Sequence, residues 1–263
     1  MTWPFENDTN GIVKRISNRS ISANRKRNIF IILTIALASA LLSAIVLYGF
    51  GVMQETQNRN QKTAQIMYHA ISEQQGQELY KQEEIAWVGE FFNAFSEQVN
   101  HSTVNFTYAN ADMLTSQSMP YSGDLPASEN EIVVQESFLD SLGYSNELGQ
   151  TIQIPFSDGT THDFKLTGIL DVKTGDIGRY TAIISKELVR QQYGDEGMID
   201  YYIGLKGAQN MSEEEATNYA NTLAQQLKIS DDNVIVRSTY FNLKDENHGS
   251  DMLFYFLIGF VTF

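Results

Sequence analysis

The sequence of 263 residues has no cysteine, so disulfides, thiolate metal sites and cysteine nucleophiles are excluded, and any folded domain must be held by packing alone. It has only four prolines and no long biased tract, which argues against a disordered chain. Its four histidines, His69, His101, His162 and His248, lie far apart, with no H-E-x-x-H pattern and no His/Asp cluster, so no metal site is expected. Neither a G-x-S-x-G elbow nor a G-x-x-x-x-G-K-[ST] loop occurs. The residues therefore offer no catalytic constellation and no cofactor site. Glu213-Glu214-Glu215 reads as a helix first turn favoured by the macrodipole, and Glu83-Glu84 and Asp231-Asp232 as solvated loop charges. Trp87 reads as a core residue of a strand.

Charge is missing from one stretch and one-signed over another. Ile29–Val52 is 24 residues without a charged side chain. Residues 1–53 carry six basic and two acidic side chains, a net charge of +4, and the remaining 12 Lys/Arg and 30 Asp/Glu give residues 54–263 a net charge of −18. Such a surface repels phosphate backbones, which excludes nucleic acid as a partner. It would attract cationic peptides, or simply keep a domain soluble.

The uncharged run, residues 29–52, spans about 36 Å as a helix, enough for a hydrocarbon core of about 30 Å. Arg25-Lys26-Arg27 stands directly before it, and the positive-inside rule then places the N-terminus in the cytoplasm. A secretory signal peptide is the competing reading, but its apolar region is shorter and lies nearer the N-terminus. Ala36, Ala40 and Ala44 recur every fourth residue with Ser39 and Ser43 beside them, a small-residue face on which another helix can approach closely. The plainer reading is that alanine is common in membrane helices. Residues 1–28 are basic and cytoplasmic, and within 10–27 the apolar Ile12, Val13, Ile16 and Ile21 alternate with basic residues, as in an amphipathic helix on anionic lipid. At the other end, Met252–Phe263 reads MLFYFLIGFVTF, apolar but too short to cross. The expectation is that residues 251–263 begin a second membrane helix that is cut short; the alternative is a terminal segment buried in the core.

The polar residues 54–64 link the membrane helix to an outer domain over 53–250, in part by continuing the helix. Gln65–Ile71 reads as a strand, Ser72 and Gln75 as a capping box opening a helix to about Lys81, and Ile85–Phe92 as a second strand. Late in the chain the same unit recurs: a strand over Ile199–Leu205, a capping box at Ser212 and Glu215, a helix to about Leu227 with Ala216, Tyr219, Ala220, Leu223 and Leu227 on one face, and a closing strand over Asn233–Arg237. Two split β-α-β units predict a ferredoxin-like subdomain from about 65–100 and 195–240. Between them, about 101–194, the texture is β-rich: strands at Val104–Tyr108, Glu131–Val134 and Thr181–Ile184, short helices at Ser137–Leu142 and from Ser185 to Tyr193, and a hairpin of Thr151–Phe156 and Phe164–Leu170 turning at Asp158-Gly159.

Glu129–Val172, with Glu131-Ile132-Val133-Val134, Leu142-Gly143, Leu148-Gly149-Gln150-Thr151-Ile152 and Leu166-Thr167-Gly168-Ile169, resembles the MacB-like periplasmic core domain of FtsX-like ABC transporter permeases. The N-terminus is similar too: basic residues, Arg27-Asn28, a long apolar helix, then the outer domain. The resemblance runs over nearly the whole chain. It implies an α+β fold and a multi-pass permease subunit of the bacterial plasma membrane, working as a dimer with a second permease copy or homologue. A cytoplasmic ABC ATPase subunit would hydrolyse ATP, and its action would move the outer domain, for export or for mechanotransmission. It implies four membrane helices, of which this sequence would hold the first and the start of the second. The competing function is a sensor: an outer domain between two membrane helices of a signalling receptor. A membrane-anchored adhesion domain is a third.

Overall fold

The computed structural model describes residues 10–172, 179–194 and 199–241, and the described chain forms two units divided at Thr56 and Gln57. The expected second membrane segment, 251–263, lies outside the described residues, as do His248 and most of the tail after the last strand.

The first unit is helical. Helix α1 is Asn10–Ala23 and α2 is Arg25–Lys62. Only Asn24 interrupts them, and its main-chain N–H and side-chain amide both donate to the Ser20 carbonyl, each at 3.1 Å. Ile12, Val13 and Ile16 fall within one arc of α1, Lys14 faces away, and Arg15 and Arg19 flank the arc on the Ile12 side. Within α2, Arg25–Gly51 has a mean hydropathy of 2.8 over its apolar window and the length to cross a bilayer.

The second unit is built on a single sheet. Its strands are β1 (Ile66–Ile71), β2 (Ile85–Val99), β3 (Ser102–Ala109), β4 (Tyr121–Gly123), β5 (Glu131–Gln135), β6 (Thr151–Pro155), β7 (Thr161–Leu170), β8 (Arg179–Ile184), β9 (Ile199–Leu205) and β10 (Val234–Val236). Their order is β10-β1-β9-β2-β3-β8-β5-β7-β4, with β6 paired to β7. The first four places are the ferredoxin-like half: β1-α3-β2 and β9-α7-β10 interleave, all antiparallel, with α3 at Glu73–Leu79 and α7 at Glu213–Leu227. The β-rich half shares this sheet. β2 runs on to Val99, seven residues beyond the strand expected from sequence, and pairs along that extension with β3, which pairs with β8 in parallel.

Local sequence explains most element ends. Ser72 and Ser212 each accept the N–H three residues on, while Gln75 and Glu215 reach back to the cap N–H, closing both expected capping boxes. Helix α3 stops at Leu79 rather than Lys81. Helix α5 (Glu136–Leu142) ends at Gly143 with φ +79, and the β6–β7 hairpin turns through Gly159 with φ +85. Helix α6 (Lys186–Tyr193) is capped by Ser185, whose hydroxyl accepts from Leu188 N at 3.1 Å.

Alternation along the strands gives the sheet two buried faces. On one, Ile66, Tyr68, Tyr201 and Ile203 pack under α3 and α7, against Leu79, Ala216, Ala220 and Leu223. Farther along the same face, Val104, Phe106, Ile132, Val134, Ala182 and Ile184 pack under α5 and α6. The opposite face carries a smaller cluster, Ala109, Val133, Leu170 and Ile183, covered by Met113 and Leu114 of α4 (Ala111–Ser116). Trp87 is half-buried and lies against Gly204, where an added Cβ would come within 2.0 Å of its Nε1.

Candidate functional site

Two places hold chemistry that packing alone does not require. The first is the candidate membrane-spanning helix α2. Arg25, Lys26 and Arg27 form the first residues of α2, directly before its apolar run. Ala36, Ala40 and Ala44 lie one turn apart along it, with Ser39 and Ser43 flanking. The Ser39 hydroxyl donates to the Ala36 carbonyl at 3.0 Å and the Ser43 hydroxyl to the Ser39 carbonyl at 2.9 Å. Each serine thus satisfies its donor within the helix and presents no demand to lipid. The result is a strip without bulk, which permits close approach of a second helix.

The second place is a charge cluster within the outer domain that sequence reasoning missed. Glu90, on β2, is only 5% exposed at its side chain and takes a donor on each oxygen. Tyr80, just past α3, donates to Oε1 at 2.9 Å; Tyr108, on β3, donates to Oε2 at 2.6 Å; and Lys186 of α6 reaches Oε2 at 2.9 Å. Lys186 also lies 3.1 Å from Oε1 of Glu73, the first residue of α3, and Arg190 of α6 pairs with that same oxygen. Asn110 ties in the backbone, accepting from Glu90 N at 3.0 Å and donating to the Val88 carbonyl at 2.9 Å. Two acids and two bases cancel, so a buried carboxylate is tolerated where alone it would be costly.

The cluster bridges the two halves of the sheet, because Glu73 and Tyr80 belong to the ferredoxin-like half and Lys186 and Arg190 to the β-rich half. Burial raises the Glu73 carboxyl, but hydrogen bonds from Arg190 and Lys186 outweigh it and hold that group below the usual carboxylate range. Burial first, and then the nearby Glu90 charge, push the hydroxyls of Tyr80, Tyr108 and Tyr201 far above the ordinary tyrosine value, so all three keep their protons. The Tyr201 hydroxyl has no hydrogen-bond partner among the described residues, and its ring fills the space beside Gly76. One signal in the sequence pointed to the cluster: Glu90 is a lone acid inside the apolar strand Ile85–Phe92.

The remaining sequence candidates stay apart. His69 Nδ1 lies 2.7 Å from Asp200 Oδ1 at the surface, and His162 lies against Phe156 with the rings tilted and their centroids 4.2 Å apart. Among the described residues no three His, Asp or Glu side chains converge as a metal site. Asp231 and Asp232 are exposed in a short turn before β10.

The family model for the MacB-like periplasmic core domain matches residues 29–234. The periplasmic region of MacB from Actinobacillus actinomycetemcomitans is similar at 13% identity and a TM-score of 0.48, over 69% of this chain and 92% of that one. The extracellular domain of the noncanonic ABC-type transporter YknZ from Gram-positive bacteria is similar at 10% identity and a TM-score of 0.48, over 66% and 98%. A domain of a putative permease from Porphyromonas gingivalis follows at 10% identity and a TM-score of 0.43, over 64% and 79%. Among curated proteins none matches the sequence.

Proposed function

Because the chain belongs to the family of the MacB-like periplasmic core domain, we propose that it is the permease subunit of an ABC transporter, coupling a cytoplasmic ATPase to movement of an outer domain. The observation that supports this reading most is the length of α2. The helix that carries the apolar run continues to Lys62, four residues before β1 begins at Ile66. A displacement at the cytoplasmic end of a continuous helix is delivered to the other end rather than absorbed in a flexible linker. The Glu90 cluster serves the same purpose: it ties α3 to α6, so that the ferredoxin-like half and the β-rich half move together.

In this reading Arg25, Lys26 and Arg27 hold the N-terminus on the cytoplasmic side, and α1 lies on the anionic inner leaflet. The strip of Ala36, Ala40, Ala44, Ser39 and Ser43 packs against another membrane helix of the permease or of its second copy. ATP is hydrolysed by the partner ATPase, and the permease contributes transmission and no bond chemistry.

The absence of cysteine makes a direct test practical. A single Glu214→Cys substitution on exposed α7 gives one thiol for a spin label. The labelled chain is co-expressed with a candidate ABC ATPase from its source organism, purified as a complex and placed in nanodiscs. ATP with Mg²⁺ and vanadate should change the label-to-label distance between two copies, and a catalytically dead ATPase should abolish the change. A distance that does not respond to nucleotide, or failure of the ATPase to co-purify, would reject the coupling and leave the sensor reading.

A further inference from the structure

The face of the sheet opposite α3, α6 and α7 carries a cavity of about 240 Å³ with no charged residue in its lining, although the surrounding domain is strongly acidic. Its floor is an array of neutral polar side chains on three adjacent strands. Asn93 of β2 stands opposite Thr107 of β3, and Asn105 of β3 opposite Thr181 of β8. Gln117 joins them from the end of α4. Asn105 accepts a hydrogen bond from Ser96 at 2.7 Å, but the side chains of Asn93, Thr107, Gln117 and Thr181 have no hydrogen-bond partner among the described residues. Thr107 is nevertheless 6% exposed, so its hydroxyl is turned to the cavity rather than to open solvent.

The wall is apolar and fixed. Met113 and Leu114 are buried, and Met119 and Phe91 complete the rim. Helix α4 is held in place by Asn110, whose side chain accepts from Met113 N at 2.9 Å, and by Gly89, above which Met113 Sδ lies so close that an added Cβ would stand 3.1 Å away. The wall is therefore preorganised, and the floor groups without a protein partner, of which Asn93 and Gln117 are exposed, are all neutral carboxamides and hydroxyls. Carboxamides and hydroxyls each donate and accept, which is the complement of a ligand whose own groups do both.

We propose that this cleft binds a neutral saccharide. Sugar hydroxyls match the amphoteric floor, and the C–H face of a pyranose matches the Phe91, Met113 and Met119 rim. The lack of any charge selects against ionic ligands, which would find no counter-charge here and stronger fields elsewhere on the domain. An extended peptide is recognised through main-chain bonds at a sheet edge, whereas this cleft lies on a sheet face whose strands are paired on both sides except at the bulge between Asn93 and Phe95. The volume is below the roughly 300–1,000 Å³ of ordinary ligand pockets, and suits one sugar ring with its neighbour at the mouth. The proposal goes beyond the permease reading and does not rest on it.

The test uses the full chain in nanodiscs of phospholipid alone, free of sugar detergents. Tetraacetylchitotetraose and maltotetraose are titrated by calorimetry, beside an uncharged tetrapeptide. At least one saccharide should bind saturably, and Asn93→Ala combined with Thr181→Val should weaken it by about tenfold, the loss of two neutral hydrogen bonds. Asn221→Ala on the exposed side of α7 should leave binding unchanged. The proposal is overturned if neither sugar binds, if the double variant binds as tightly as the parent, or if the peptide binds and the sugars do not.

Discussion

Replacing Lys186 with methionine keeps the aliphatic stem and removes the cation that faces Glu90 and Glu73. At about 3 Å and an effective dielectric near 20, the attraction given up is roughly 5 kcal/mol before solvation is counted. Lys186 regains water in the unfolded chain, and Glu90 keeps the two tyrosine donors, so the net cost is smaller. Deleting one partner of a buried pair generally costs about 3–5 kcal/mol. With Lys186 18% exposed at its side chain and Glu73 still held by Arg190, the expected loss is about 2–4 kcal/mol. For a domain near 200 residues each kcal/mol moves Tm by about 2–4 °C, so the melting point should fall by roughly 5–15 °C.

The assay is thermal and urea unfolding of the full chain in micelles, followed by far-ultraviolet circular dichroism and by the fluorescence of Trp87 in the outer domain. The diagnostic comparison is the double variant Lys186→Met with Glu90→Gln. If the instability of the single variant is the penalty of an abandoned carboxylate, neutralising Glu90 should return at least about 1 kcal/mol, and the two substitutions should be strongly non-additive. A single-variant loss under about 0.5 kcal/mol, or additivity within that margin, would refute the claim that the pair acts as one unit.

Four further outcomes follow from other parts of the structure. Gly76→Ala would drive a Cβ to within 2.0 Å of the buried Tyr201 ring, and should cost about 1–3 kcal/mol or more in urea midpoint because α3 must lift from the sheet. Ser212→Ala removes one arm of the α7 capping box and should cost about 1 kcal/mol, while Ser212→Asp should restore most of it. Glu73 and Glu131 both have depressed carboxyl pKa values, Glu73 because Arg190 and Lys186 outweigh burial, and Glu131 because Ala127 N donates to it, with Lys165 adding. Their stabilisation is complete above the ordinary value of 4.5 and lost as pH falls through the lower folded values, so Glu73→Gln should flatten stability against pH below 4.5 and leave its course at pH 6–8 unchanged. Ala40→Leu in α2 should weaken helix association in the membrane, read as lower cross-linking yield between copies, whereas Leu41→Ala should not.

The sequence was most informative where a structural choice is made locally. A capping box, an Asp-Gly turn or a glycine after a helix each decides its own few residues, and those at Ser72, Ser212, Gly159 and Gly143 all lie where the pattern put them. The far end of β2 was not legible, because its turn carries only one of the usual marks, Asn100. β2 passes to β3 through Asn100-His101, both at positive φ, as a primed two-residue turn requires, but without the glycine that announces one. Helix α4 is too short for periodicity to register. The ferredoxin-like half was implied by the two β-α-β units, yet the joining of both halves into one sheet depends on that unmarked extension.

The Glu90 cluster was hidden for a different reason. Its members lie at positions 73, 80, 90, 108, 186 and 190, and Arg190 stands 117 residues from the Glu73 it pairs with. No spacing rule connects them; only the sheet order, which sets β2 beside β3 and β3 beside β8, lets α6 swing Lys186 over the strand that carries Glu90. What sequence could show was the anomaly alone, an acid inside Ile85–Phe92 where a buried strand should have none. A charge in that position must have a partner, and a partner from another half of the domain fixes the two halves to each other. The same anomaly therefore marks where the domain should resist being pulled apart. Under force applied through α2, the Lys186→Met variant should let its halves separate at lower load than Ser212→Ala, although both are destabilised. Equal rupture forces in single-molecule pulling would show that the cluster is merely one more stabilising contact.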